Sequence, residues 1–207
     1  PYSLHLTMNV RYIPGHRSLF QGIKRLPPGH VLEINAEGAR LYPYTKIDWS
    51  PDKQLNKKDW IEGIRHHYQG AVKRQLMGDV PVGISLSGGI DSGSIVAMAR
   101  SVSSAPLKTF SLGFNEPWDE TADARFLAEK FETEHHELVL DEPVLKYLPD
   151  ALHFTEEPKV NCLQLFMLHR FISKEVKVVL SGLGGDELFA GYDIFGYLQK
   201  LDPLRRV

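Results

Sequence analysis

The stretch Val80-Pro81-Val82-Gly83-Ile84-Ser85-Leu86-Ser87-Gly88-Gly89-Ile90-Asp91-Ser92-Gly93-Ser94 constrains the fold of this chain more than any other. Val80, Val82, Ile84 and Leu86 alternate with Pro81, Gly83 and Ser85, the period of a β-strand. Ser87, Gly88 and Gly89 form a turn without bulky side chains, and Ile95, Val96, Ala99 and Val102 follow at helical spacing. A strand that runs through a glycine turn into a helix makes a place for phosphate. The turn admits close approach of the backbone, and the helix start offers N–H groups with a partial positive charge. The Gly-x-x-x-x-Gly-Lys-Ser/Thr of the ATPase P-loop does not occur, and the turn holds no lysine but does hold Asp91. An acid beside a phosphate repels it unless a magnesium ion lies between them. The plainer alternative is a strand-to-helix turn with a capping Ser or Asp.

The neighbouring segments set this unit in a larger pattern. Ile61, Ile64, Tyr68, Ala71, Val72 and Leu76 recur every three or four residues and predict a helix of about five turns leading into strand 80–86. Strands are predicted over 107–114, 136–140 and 177–180, with helices over 119–131 and 163–175 between them. A helical stretch over 144–154 is split at Pro149 into two short pieces. Strands alternating with helices imply a parallel sheet covered on both faces. Ligands of such sheets bind beyond the carboxyl ends of the strands, where the strand order reverses. Residues 1 to about 45 read as β and turn. They include a hairpin in which Val31, Leu32 and Ile34 are followed by the turn Asn35-Ala36-Glu37-Gly38 and a return through Leu41 and Tyr42. Pro43, Pro51 and the polar run 52–58 read as a linker.

Composition narrows the function classes. A net charge of −2 over 207 residues gives no reason to expect a nucleic-acid partner. No apolar run approaches the ~18 residues of a membrane span, so no membrane partner is expected. The single cysteine, Cys162, rules out an internal disulfide and a cysteine metal cluster and fits a reducing, cytoplasmic compartment. It has no surroundings that argue for a reactive thiol and reads as ordinary. The histidine pairs His66-His67 and His135-His136 are sequence neighbours, which do not face one ligand together. Asp119 and Glu120 read as caps of the helix that follows them.

A second loop, Ser181-Gly182-Leu183-Gly184-Gly185-Asp186-Glu187 followed by Leu188-Phe189-Ala190-Gly191-Tyr192, repeats the first in outline: small residues, an acid, a short helix. If the strands before the two loops are neighbours, Asp91 and Asp186 face one crevice and hold Mg²⁺ against a triphosphate. Taken alone, the second loop is equally a turn with a helix cap and first-turn acids.

Ser-Gly-Gly-x-Asp-Ser at 87–92 resembles the loop of the N-type ATP pyrophosphatases, which cleave ATP between the α and β phosphates. Ser-Gly-x-Gly-Gly-Asp-Glu-Leu-Phe-x-Gly-Tyr at 181–192 resembles the synthetase domain of the glutamine-hydrolysing asparagine synthetases. Thr109–Phe114, Glu134-His135-His136-Glu137, Glu156-Glu157-Pro158, Arg11-Tyr12-Ile13-Pro14 and Leu26-Pro27-Pro28-Gly29-His30 fit the same family in the same order. The resemblance implies a doubly wound parallel sheet of the adenine-nucleotide α-hydrolase-like (PP-loop) type, preceded by a short β-hairpin segment. Residues 1–50 would be the end of a glutaminase-type region with a linker, and 51–207 a synthetase domain incomplete at its C-terminus.

It also implies ATP and Mg²⁺, with asparagine made from aspartate through an acyl-adenylate and with ammonia from a glutaminase domain outside this chain. It leaves room for a homodimer. Carried over by position, Ser85, Leu86 and Leu112 contact the nucleotide, Ser87, Gly88, Gly89, Asp91 and Ser92 hold pyrophosphate and metal, Ser181 and Gly182 touch AMP, and Asp186 binds metal. Asp91 and Asp186 are the first candidate catalytic residues and Glu156 a further one. Three departures stand out. Residue 1 is proline rather than a nucleophilic cysteine, so glutamine hydrolysis is not expected of this chain. Leu183 stands where the family carries an acid, and the family's catalytic lysine lies beyond Val207. The readings kept beside asparagine synthesis are amidation of another carboxylate, a tRNA-modifying ATP pyrophosphatase, and a nucleotide-binding domain without chemistry.

Overall fold

A computed structural model describes residues 2–48, 50, 54–141, 143–156, 159 and 161–201. Pro1, Pro51, Asp52, Glu157, Pro158 and Val207, named above, lie outside them. The chain divides into two compact units, Pro1–Asn56 with Leu145–Leu163, and Lys57–Val144 with Gln164–Val207.

The first unit holds helix α1 (Tyr2–Val10) and the antiparallel hairpin β1 (His30–Asn35) and β2 (Gly38–Pro43). The hairpin forms where the sequence predicts it. Asn35 Oδ1 accepts hydrogen bonds from the amides of Glu37 and Gly38, which closes the turn. Helix α1 corrects the β reading of the first residues. Leu4, Leu6, Met8 and Val10 alternate as a strand would, but Thr7 Oγ1 donates to the Ser3 carbonyl at 3.0 Å and Asn9 Nδ2 to the His5 carbonyl at 2.8 Å. These i to i+4 bonds favour the helical turn over extension. Residues 144–155 form a 3₁₀ turn (Val144–Tyr147) and helix α5 (Leu148–Thr155), with Pro149 in the first turn of the helix, where its missing N–H costs nothing.

The second unit is a doubly wound α/β fold. Its strands are β3 (Val82–Ser85), β4 (Lys108–Gly113), β5 (Glu134–Val139) and β6 (Val178–Leu180), parallel and ordered β5-β4-β3-β6. Helices α2 (Lys57–Gln75), α3 (Ile90–Val102) and α4 (Thr121–Lys130) cover one face. There Val72, Ile84, Leu86, Ile95, Val96, Ala99, Ala124 and Ala128 form one buried cluster. Helix α6 (Cys162–Ile172) covers the other face, where Ile172 and Val176 pack on Phe110. Phe110 is fully buried between the rings of His136 and Phe171. Cys162 is a free, buried thiol.

Only the C-terminal half of α2 meets the core, through Tyr68 and Val72, joined by Leu76 just after the helix. Ile61 and Ile64 carry the same spacing and stay exposed. The chain continues through α7 (Gly185–Phe189) and α8 (Asp193–Leu201). No helix among the described residues is long and apolar enough to cross a membrane.

Candidate phosphate and nucleotide site

Sheet order decides where the two glycine loops go. β3 and β6 are adjacent and parallel, with Ile84 beside Leu180, so the loops that follow them leave the same edge of the sheet. β3 pairs with β4 on its other side, so the order reverses here, which meets the condition for the two loops to face one crevice.

Contacts between the loops are direct. A side chain on Gly182 would strike the backbone of the first turn of α3, with Ser92 N only 2.8 Å from the added carbon. One on Gly185 would land on the Asp91 carboxylate, 2.5 Å from Oδ1 and 2.7 Å from Oδ2. Asp91 therefore rests on the residue immediately before Asp186. The Asp186 carboxylate in turn lies against Gly191, whose amide donates to the Asp186 carbonyl at 3.0 Å. Glu187 accepts the Tyr192 hydroxyl at 2.7 Å. That bond holds Glu187 below the usual carboxylate range and Tyr192 above the usual phenol range, and nearby Asp186 and Asp91 push Tyr192 the same way.

The first loop is locked from within. Ser92, buried, donates to the Gly89 carbonyl at 3.2 Å and accepts from the Ser87 amide at 3.1 Å, with the Ser87 hydroxyl also 3.1 Å away. Gly88 has φ +79, a conformation that costs glycine little, and a Cβ there would meet Glu120 O at 2.9 Å and Ala124 N at 3.1 Å. The loop is thus pinned to the start of α4. Gly89 is the N-cap of α3 and has no side chain to take up the first amides of the helix.

Next to this loop lies a cleft of about 460 Å³. It brings together four of the predicted residues: Ser85, Leu86 and Ser87 from the end of β3 and Leu112 from β4. Ser87 also bonds Ser92, which joins the cleft to the phosphate loop. Sequence reasoning missed Ser111, Phe114, Trp118 and Gln164 in its lining. The available signal was that 114–120 is a third loop at a strand's carboxyl end. Asp119 and Glu120 line the cleft too, and neither caps α4 through its side chain. Asp119 Oδ2 instead accepts from the amides of Phe114 at 2.7 Å and Glu116 at 3.2 Å, fixing the loop that carries Trp118. The cap reading holds for position, since Glu120 is the N-cap residue of α4, and is corrected for Asp119, whose carboxylate takes the amides behind it. Ser181 is exposed, and Leu183 and Ile90 are 91% and 87% exposed on their loops. Glu156 belongs to the first unit, where it ends α5 at φ 55 with its amide on the Leu152 carbonyl.

The donor set suits magnesium. Neither loop nor the described cleft lining contains a lysine or arginine, and the charged side chains that the two loops offer are the carboxylates of Asp91, Asp186 and Glu187. Among the described residues no group of three or more His, Cys, Asp and Glu side chains could hold a metal. Mg²⁺ asks for less, one or two carboxylates with water and phosphate oxygens completing its shell.

A doubly wound α/β fold with two loops of small residues at its switch point defines the class. Within it, the asparagine synthase family model matches residues 63–206, and the chain belongs to that family. A putative glutamine-hydrolyzing asparagine synthetase 2 of Methanocaldococcus jannaschii is 31% identical over 214 residues, covering 99% of this chain and 41% of the relative. The glutamine-hydrolyzing asparagine synthetase 3 of Bacillus subtilis is 32% identical over 195 residues, covering 86% of this chain and 32% of the relative. The amidase chyE of Penicillium rubens is 34% identical over 203 residues, covering 86% and 30%. The chain thus spans less than half the length of these relatives. Its fold is similar to that of an NH₃-dependent NAD synthetase of Campylobacter jejuni, with a TM-score of 0.45 and 16% identity, covering 63% of this chain and 60% of that one.

Proposed function

We propose that this chain is the ATP-cleaving part of an amide-forming ligase, acting on aspartate with ammonia delivered from a glutaminase domain outside the chain. One observation supports the reading above the rest: the Asp91 carboxylate seats on Gly185, so both loops present their acids and amides to one place. In this reading a carboxylate oxygen of the substrate bonds to the α-phosphorus of ATP. The bond from that phosphorus to the bridging oxygen breaks, and pyrophosphate leaves. Ammonia adds to the acyl carbon, the bond to AMP breaks, and nitrogen gives up a proton to solvent.

The chain's own residues divide the work. The amides of Gly88, Gly89 and the first turn of α3, with the Ser87 hydroxyl, hold the departing pyrophosphate. Ser85, Leu86 and Leu112 hold the nucleoside, and Ser181 and Gly182 touch AMP. Asp91 and Asp186 would hold Mg²⁺, which offsets phosphate charge when bound. Glu156 is kept as a further candidate carboxylate. A homodimer and a cytoplasmic location belong to the same reading.

A second reading, amidation of a different carboxylate, is favoured by Leu183. An uncharged side chain that is 91% exposed on the second loop offers nothing to the ammonium or side-chain carboxylate of aspartate. Pyrophosphate release from ATP by the full-length parent protein, measured with ammonium and a panel of carboxylates that includes aspartate, tests both. Release with aspartate supports the first reading, and release with another acid alone supports the second. ATP binding without release on any acid contradicts the ligase reading.

A further inference from the structure

The first loop is braced from outside by the start of α4, and one carboxylate sets where that start lies. Asp119 Oδ2 accepts the Phe114 amide at 2.7 Å and the Glu116 amide at 3.2 Å, and the Asp119 amide donates to the Glu116 carbonyl at 3.0 Å. The turn is tight. Asn115 takes a left-handed φ of 58, and a side chain on Gly113 would meet the Asp119 carboxylate at 3.2 Å and the Thr121 methyl at 2.8 Å from the added carbon. Asp119 thus ties the end of β4 to the residues that open α4.

That opening turn carries the glycine loop. The Ala124 amide donates to the Glu120 carbonyl at 2.9 Å, and Gly88 lies directly on this bond. A carbon added at Gly88 would stand 2.7 Å from Asp123 Cβ, 2.9 Å from Glu120 O and 3.1 Å from Ala124 N. All three atoms are fixed to the backbone and move only with the helix. A shift of the start of α4 therefore reaches Gly88 without passing through any flexible side chain.

We propose that Asp119 is a positioning residue for the first loop: by holding the turn at 114–116 it sets the start of α4, and through Gly88 it keeps Ser87, Gly88 and Gly89 in the shape that receives pyrophosphate, a role that rests on the phosphate reading above. This role opposes the residue's own charge. A carboxylate near a bound anion repels it. If charge were all that Asp119 contributed, its removal would tighten pyrophosphate binding. Positioning predicts the opposite sign. Asparagine keeps an oxygen for the two amides and drops the charge, whereas alanine drops both.

The test is calorimetric affinity of the full-length parent protein for pyrophosphate with Mg²⁺, in wild type, Asp119→Ala and Asp119→Asn. Asp119→Ala is expected to bind roughly five- to tenfold more weakly than wild type. Asp119→Asn is expected to bind at least as tightly as wild type. Affinity in Asp119→Ala equal to or above that of wild type overturns the proposal. So does an Asp119→Asn protein as weak as Asp119→Ala, because the charge and not the acceptor would then be what counts. If Asp119→Ala does not fold, hydrogen exchange in the wild type decides. Exchange over 114–120 is expected to slow together with that over 87–92 as pyrophosphate is added, and slowing confined to 87–92 overturns the proposal. Wild type that does not bind pyrophosphate removes the phosphate reading and this inference together, whereas wild-type binding with unaltered affinity in Asp119→Ala removes only the inference.

Discussion

The two glycine loops share a composition and differ in support. The first is followed by a helix of 13 residues whose Ser92, Gly93, Ile95, Val96 and Ala99 are buried, and its turn is tied by three contacts to Ser92. The second is followed by a helix of five residues with none buried, and Leu183 and Leu188 stand 91% and 77% exposed. The same small-acid-helix pattern thus yields a loop locked by its own hydrogen bonds in one place and a lightly supported carrier of acids in the other. In the proposed reading the first loop sets where phosphate sits. The second loop takes its position from the first, since Gly182 and Gly185 are shaped to Asp91 and Ser92.

Substitutions sharpen that contrast. Asp91→Asn is expected to lower pyrophosphate release by about a hundredfold or more with no change in the thermal midpoint, because it removes charge at the phosphates and no packing. Asp186→Asn should behave alike; full activity in either variant would take that carboxylate out of the metal role. Gly182→Ala drives a methyl into the backbone of α3, which cannot step aside, and should cost about 1–3 kcal/mol in denaturant unfolding. A Gly182→Ala protein as stable as wild type would mean that the loops do not lock together. Ser92→Ala loosens the cradle alone and should cost about 1 kcal/mol, with pyrophosphate affinity falling alongside. Smallest of all, Leu183→Ala should stay within about 0.5 kcal/mol of wild type, since the side chain touches water. A larger loss would place Leu183 under a cover and undo the contrast between the loops.

Much of this was legible in the sequence. The period-2 run before Ser87 and the helical spacing after it gave the first loop, and β-rich runs separated by helical ones gave a parallel sheet, whereas the adjacency of β3 and β6 was only a condition until the strand order was seen. Loop motifs are legible because their small residues are required by close approach, as at Gly182 and Gly185. Helix α1 was not, because its apolar residues alternate at period two and its helicity comes from Thr7 and Asn9 bonding back to the chain. Nor were Ser111 and Trp118. Ser111 sits within an apolar-looking strand, and its contact with His135 across the sheet is one that only the register of β4 against β5 reveals.

The central claim is that both loops serve one ligand. Adding pyrophosphate with Mg²⁺ while following backbone amide resonances tests it directly. The amides of Gly88, Gly89 and Asp91 and those of Gly182 and Gly185 should shift together along one binding curve. Shifts confined to the first loop, or two curves of different midpoint, would contradict it.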